Sequence, residues 1–298
     1  MGVEFLNSVE NSVFCVKELS ISQDMKLRWY HEQFVLYGWI VFLLEGETMI
    51  DLNKCKIRFE EYIKNYDMNN FKIRQKRDHT FRVMNFCREI AISLNLKEED
   101  INIASLIGLL HDIGRFEQLR IYDTFNDNTS VDHAILGVEI LKKNHYIQEY
   151  VMDVEVQKLV LTAIENHNKL TIEDGLDERT LLFCRIIRDA DKLDILDLYQ
   201  MGDLKINSDL GAITDDCFTQ LMSCNSVNKK DVQTNMDHTL LIISFLFDFN
   251  FLYSFQYLKY HNSIKWIVDE LIKYNPNENQ KLLKIKELVN NYLEERGK

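Results

Sequence analysis

A single proline and ten glycines in 298 residues constrain the fold more than any other feature of this chain. Sheet-and-turn folds need punctuating residues every few positions, and these two types supply most of them. Their scarcity predicts an all-α fold of long helices joined by polar loops. Hydrophobic residues at 46% give material for a sizeable core, and charged residues at 28% give a hydrated surface. A chain of this length holds one large domain or two small ones.

Acidic residues outnumber basic ones by 47 to 35, for a net charge of −12. Proteins that hold duplex nucleic acid carry a basic face, and none is visible in the composition. A small phosphorylated ligand is still compatible, because a bound metal supplies local positive charge. The six cysteines form no C-x-x-C pair and mostly lie in apolar runs such as "MNFCREI". They read as reduced, buried thiols of a cytoplasmic protein. The strongest apolar run, "FVLYGWIVFLL" at 34–44, is shorter than the ~20 residues of a membrane span and reads as a core helix, so no membrane partner is expected. A homo-oligomer is compatible with the sequence.

The chain divides into three parts. Residues 1–48 share no pattern with the rest. Met49 follows "EGET" and precedes the amphipathic "IDLNKCKIRFEEYIKNY", so residues 1–48 read as a translated upstream region, with an accessory helical element as the alternative. Residues 49–204 carry clear helical periodicity: Val83, Phe86, Cys87, Ile90 and Leu94 recur at steps of three and four. Residues 205–298 mix loop-like stretches with the aromatic "HTLLIISFLFDFNFLYSFQYLKYH" and two terminal helices, all expected to pack on the same body.

Four of the eight histidines fall on apolar stripes. His79 has Val83 and Cys87 at four and eight. His111 follows Ile107 and Ala104, His133 precedes Leu136, Gly137 and Ile140, and His167 follows Val160, Ala163 and Ile164. One such histidine is an ordinary hydrogen-bonded core residue. Four in one helical core would each need a partner, since an unpaired buried polar group costs ~1–3 kcal/mol. A divalent metal centre satisfies several at once. Asp112 abuts His111, and "IIRDADKLDIL" offers Asp189, Asp191 and Asp194. Periodicity does not choose among these three.

The order His79, His111-Asp112 within "LLHDIGR", then an aspartate in "DADKLD", resembles the HD-domain superfamily of metal-dependent phosphohydrolases over roughly residues 51–200. The resemblance implies an all-α bundle with the metal site in its core. It selects Asp191 as the last ligand and makes Asp194 an outer group that orients a ligand or binds substrate. Two-metal members add two histidines between the HD pair and the final aspartate, and His133 and His167 fit that order. The implied set is therefore His79, His111, Asp112, His133, His167 and Asp191, with Asp112 bridging. The cofactor is one or two divalent transition metals, iron, manganese, cobalt, nickel or zinc.

The activity this implies is hydrolysis of a nucleotide or similar small phosphate ester by metal-activated water. Asp112 and Arg115 would be catalytic, Arg115 gripping a phosphate bidentately, with Lys192 a second substrate-binding candidate. The basic run "KIRQKRDH" at 72–79 reads equally as an anion attractor and as a solvated helix face. Two rivals share the motif: a di-iron oxygenase acting on a polyol or phosphonate, and a non-catalytic nucleotide sensor.

Overall fold

The computed structural model describes residues 50–202 and 210–298, and every regular element among them is helical. Both expectations for residues 1–48, and the core helix expected at 34–44, fall outside the described residues. The elements run α1 (Leu52–Ile63), α2 (Phe71–Ser93), α3 (Glu98–Leu110), α4 (Ile113–Tyr122), α5 (His133–Lys142), α6 (Val154–Asn166) and α7 (Glu178–Met201). They continue as α8 (Asp215–Met222), α9 (Asn235–Ser244), α10 (Leu252–His261), α11 (Ser263–Tyr274) and α12 (Asn279–Arg296). Side-chain oxygens start many of them. Asp51, Asn70, Asp132, Asp153 and Asp177 accept the free N–H groups of α1, α2, α5, α6 and α7. Thr234 and Asp237 form a reciprocal capping box at α9.

Helix α3 is the axis of the fold. Its first turn carries Glu98, Glu99 and Asp100, which suit the positive end of the helix dipole. From Ile101 to Leu110 every residue is buried, as expected of a helix apolar on all sides. It packs against α1, α2, α6 and α7. Because it ends in the middle of the bundle, the next two residues, His111 and Asp112, are delivered to the centre.

Two glycines permit close helix crossings there. A Cβ on Gly108 would lie 2.7 Å from the Cα of Met84 on α2, and one on Gly114 would lie 2.2 Å from the His133 carbonyl oxygen. The glycine of "HDIGR" thus lets α4 seat directly on the start of α5. On α5 the buried stripe is His133, Ala134, Gly137, Val138 and Leu141, while Leu136 and Ile140 are half-buried. The stripe expected from sequence is rotated by one residue, because α5 meets α4 through Gly137 rather than through its larger side chains.

Residues 50–298 form one compact unit, with α10 and α11 packed against α7. The aromatic stretch after 238 does not run as one helix. It breaks between Asp248 and Phe251, where the backbone N–H groups of Asn250 and Phe251 and the hydroxyl of Ser254 donate to Asp189 of α7. A buried carboxylate needs such donors, and the chain leaves its helix to supply them. Of the described cysteines, Cys55, Cys87, Cys184 and Cys217 are buried, Cys224 is exposed, and all five are free. No helix of the described residues is long and apolar enough to cross a membrane.

The glycine geometry gives a paired expectation. Gly114→Ala should destabilise the protein by about 1–3 kcal/mol, the usual cost of overpacking, because the clash is with backbone. Gly137→Ala, whose nearest contact would be an Ile113 methyl at 3.3 Å, should be near neutral. Thermal unfolding of the two variants checks this; equal stability would show that α4 and α5 have freedom to separate.

Candidate metal centre and cavity

The four histidines come from four different segments: His79 from α2, His111 just after α3, His133 at the first position of α5, and His167 just after α6. All four are buried, as is Asp112. Each has its Nδ1 directed outward onto an acceptor. His79 Nδ1 lies 2.6 Å from Asp194 Oδ2, His111 Nδ1 2.8 Å from the Gly108 carbonyl, His133 Nδ1 2.8 Å from Asp127 Oδ2, and His167 Nδ1 2.6 Å from the Ile164 carbonyl. An acceptor at Nδ1 fixes the proton there, so in the neutral ring Nε2 presents a bare lone pair.

The Nε2 atoms converge. His79 Nε2 is 3.3 Å from His111 Nε2, 3.4 Å from Asp112 Oδ2 and 3.2 Å from Asp191 Oδ1. His111 Nε2 is 3.6 Å from Asp112 Oδ2 and 3.8 Å from Asp191 Oδ1. Asp112 turns its other oxygen to a second cluster. Oδ1 is 3.3 Å from His133 Nε2 and 3.8 Å from His167 Nε2, and those two nitrogens are 3.0 Å apart. Two donors each ~2.1 Å from a shared ion stand about 3.0–3.4 Å apart, so the spacings are close to those of ligands around a common cation. The donor set, imidazole and carboxylate, suits a divalent transition metal. The convergent groups are His79 with His111 and Asp112, His111 with His167 and Asp191, and Asp112 with His133 and His167.

The electrostatics describe a site that draws positive charge. Burial and Lys76 oppose protonation of His79, yet its hydrogen bonds to Asp112, Asp191 and Asp194 prevail and raise its pKa to about 10. Burial would raise Asp112, but Lys76 and the surrounding imidazoles hold it well below the usual carboxylate range. Burial, with His133 and His111 beside it, pushes His167 down to about 3. Its ring is therefore neutral and its Nε2 available at ordinary pH.

The three aspartates of α7 separate by direction. Asp191 faces His79 and His111. Asp189, wholly buried, faces the opposite way and holds the break before α10. Asp194 accepts from His79 Nδ1 and, through Oδ1, from Arg82 Nε at 2.5 Å, so it orients the first histidine from behind.

A cavity of about 580 Å³ opens over this cluster. Asp112, His133, His167 and Asp191 form its floor, and Arg115 and Lys192 both line it. Neither of those two is free. Arg115 Nη1 donates to Gln118 Oε1, to the Phe125 carbonyl and to Asp127 Oδ1 at 2.8 Å, although its Nε lacks a hydrogen-bond partner. Lys192 Nζ lies 2.6 Å from Asp248 Oδ2, which also accepts from Arg188 Nη2 at 2.7 Å. Glu117, two residues on from Arg115, pairs with Arg120.

Several participants are missing from the sequence reading. Lys76 Nζ is 2.7 Å from Asp112 Oδ2 and lines the cavity; it lay within the basic run, three residues before His79 on the same helix face. Asp127, which both orients His133 and holds Arg115, sits in the polar stretch "FNDNTS" and carried no periodic signal. Asp248 and the Ser226–Lys230 turn reach the cavity from the C-terminal third, beyond any local pattern.

The family model of the HD domain matches residues 77–196. Comparisons with curated proteins and with solved structures give no match.

Two substitutions on α7 should separate ligand from scaffold. Asp191→Ala is expected to lose metal, read by elemental analysis, while keeping its thermal stability. Asp189→Ala should keep its metal and lose roughly 1–3 kcal/mol or more, because four donors, the Asn250 N–H and side-chain amide, the Phe251 N–H and the Ser254 hydroxyl, lose their acceptor. A reversed pattern would exchange the two roles.

Proposed function

Residues 77–196 are an HD domain, and from that premise we propose that this chain is a two-metal phosphohydrolase of small phosphate esters, a nucleotide being the substrate class that fits best. The observation that carries the reading is the cavity itself. Its floor is the imidazole and carboxylate cluster, and its walls hold Lys76, Arg115, Lys169, Arg188, Lys192, Lys229 and Lys230 in a chain of net charge −12. Basic residues gathered at one concave site of an acidic protein favour an anionic ligand. The volume lies within the usual range of small-molecule sites, and Ile195, Leu241 and Phe245 add an apolar wall for the organic part of an ester.

His79, His111, Asp191 and Asp112 Oδ2 would hold one ion; Asp112 Oδ1, His133 and His167 would hold the other. Bound divalent cations supply Lewis acidity, which lowers the pKa of water and neutralises phosphoryl charge. The chain supplies the rest. The outward Nδ1 bonds fix each imidazole, so that the donors need no rearrangement to receive a cation. Arg115 is braced by Asp127 with its unpartnered Nε above Asp112, 3.6 Å from Oδ1, where an added phosphoryl oxygen would complete its hydrogen bonding. Among the described residues the other buried polar atom without a partner is Asn168 Oδ1, also on a cavity-lining residue. A ligand hydroxyl or amine would satisfy it. Lys76 is positioned to share its ammonium between Asp112 and the ligand. Lys192, held by Asp248, contributes field to the wall rather than a free hydrogen bond. Unpaired thiols are in keeping with a cytoplasmic setting.

The test is elemental analysis of protein purified without chelator, followed by turnover of a panel of phosphate mono- and diesters with manganese added. About two ions per chain and phosphate release are expected. His111→Ala and Asp112→Ala should lose metal and turnover together. Lys76→Met should lower kcat/KM by about ten- to a hundredfold, the worth of a charged hydrogen bond, with metal content retained. Oxygen consumption in place of phosphate release would favour the di-iron oxygenase, and retained metal with no turnover would favour the sensor.

A further inference from the structure

The cations around the cavity are not equivalent. Lys76 faces Asp112, Arg115 faces Asp127, and Lys169 lies 3.2 Å from Glu173. Arg188 and Lys192 share Asp248. Each of these five already has a carboxylate opposite. Lys229 and Lys230 are the exceptions: among the described residues neither has an acidic partner, and both are exposed yet line the cavity.

The turn that carries them is built. Val227 is buried, and its N–H donates to Ser244 Oγ at 2.9 Å. Asn228 N–H donates to Gln220 Oε1 at 2.8 Å, and Lys230 N–H to Asn228 Oδ1 at 3.0 Å. The one adjacent acid, Asp231, accepts from Gln220 Nε2 at 2.7 Å. A single glutamine amide therefore fastens both sides of the turn and engages the carboxylate that follows the lysine pair in sequence. The turn lies outside the segment matched as an HD domain, so it is an addition of this chain to the wall of that domain's cavity.

We infer that Lys229 and Lys230 form a second anion-binding subsite, and that the substrate carries a further anionic group besides the phosphoryl group received at the metal floor. The inference rests on the phosphohydrolase reading and narrows it to multiply charged esters: either a contiguous diphosphate or a bisphosphate with its charges on separate carbons. Ammonium groups on a pinned turn with no carboxylate opposite them bind a second anion without competition from an existing ion pair. They add affinity only for ligands long enough to reach them.

The experiment is isothermal calorimetry on the full-length, metal-loaded protein with two probe pairs: fructose 6-phosphate against fructose 1,6-bisphosphate, and adenosine 5′-monophosphate against adenosine 5′-diphosphate. At least one pair should show the more highly charged member binding about five- to tenfold tighter, the worth of two exposed charge contacts. Which pair responds tells separated charges from contiguous ones. In Lys229→Gln/Lys230→Gln that ratio should fall to near one with metal content unchanged, and Lys229→Arg/Lys230→Arg should restore it. Equal affinities within both pairs, or a ratio that survives the glutamine variant, would overturn the inference while leaving the phosphohydrolase reading intact. Failure of all four probes to bind metal-loaded protein would overturn both.

Discussion

The structure depends on a repulsion that must be answered. Four imidazole nitrogens and three carboxylate oxygens, nearly all bearing lone pairs, are brought into three overlapping clusters at the centre of a helical bundle. In an apolar interior such a cluster holds together only if positive charge sits among the donors. A proton on His79 and the ammonium of Lys76 meet part of that need; divalent cations would meet it more fully. The outer contacts run the other way. Asp194, Asp127 and two helix carbonyls fix every ring from behind, so the donors stay convergent whatever lies between them. Arg82 behind Asp194 and Arg115 beside Asp127 extend this bracing to a second layer of charge.

Much of this was legible in the sequence, for identifiable reasons. The all-α class followed from missing turn residues. His79, His111 and His167 were visible because helical periodicity fixes which way a side chain points, and a polar residue on an apolar stripe stands out. His133 was found on a stripe rotated by one residue from the observed one. Its position at the first turn of α5 brought it into the core regardless, since Gly114 and Gly137 let α4 and α5 approach. Asp189 and Asp191 could not be separated by periodicity. Their difference is set by what lies opposite: α2 and His111 on one side, the Asn250–Ser254 segment on the other, the latter some sixty residues away in sequence. Asp127, Asp248 and the Ser226–Lys230 turn were invisible for the same reason. They sit in irregular segments whose partners are decided by tertiary packing.

The C-terminal third is part of the cavity, not an appendage. Leu241, Ser244 and Phe245 form wall, Asp248 neutralises two cations of α7, and the pinned turn contributes two more. The aromatic stretch that looked like simple core divides its labour. Phe249 and Phe255 pack inward with edge-to-face geometry, while Phe245 sits at the cavity with Lys192 Nζ 5.8 Å from its ring centre.

Helix α7 carries Asp191 toward the histidine cluster and Asp189 toward the strap that begins α10, only two residues apart. The two attachments share one rigid rod, and the stretch matched by the family model starts part-way along α2 and stops part-way along α7. Cutting the gene at those limits would sever both rods and strip the Asp189 side chain of every donor it has. The smallest self-sufficient version of this molecule is therefore larger than the matched segment. It has to carry the strap along with the half that faces the histidines.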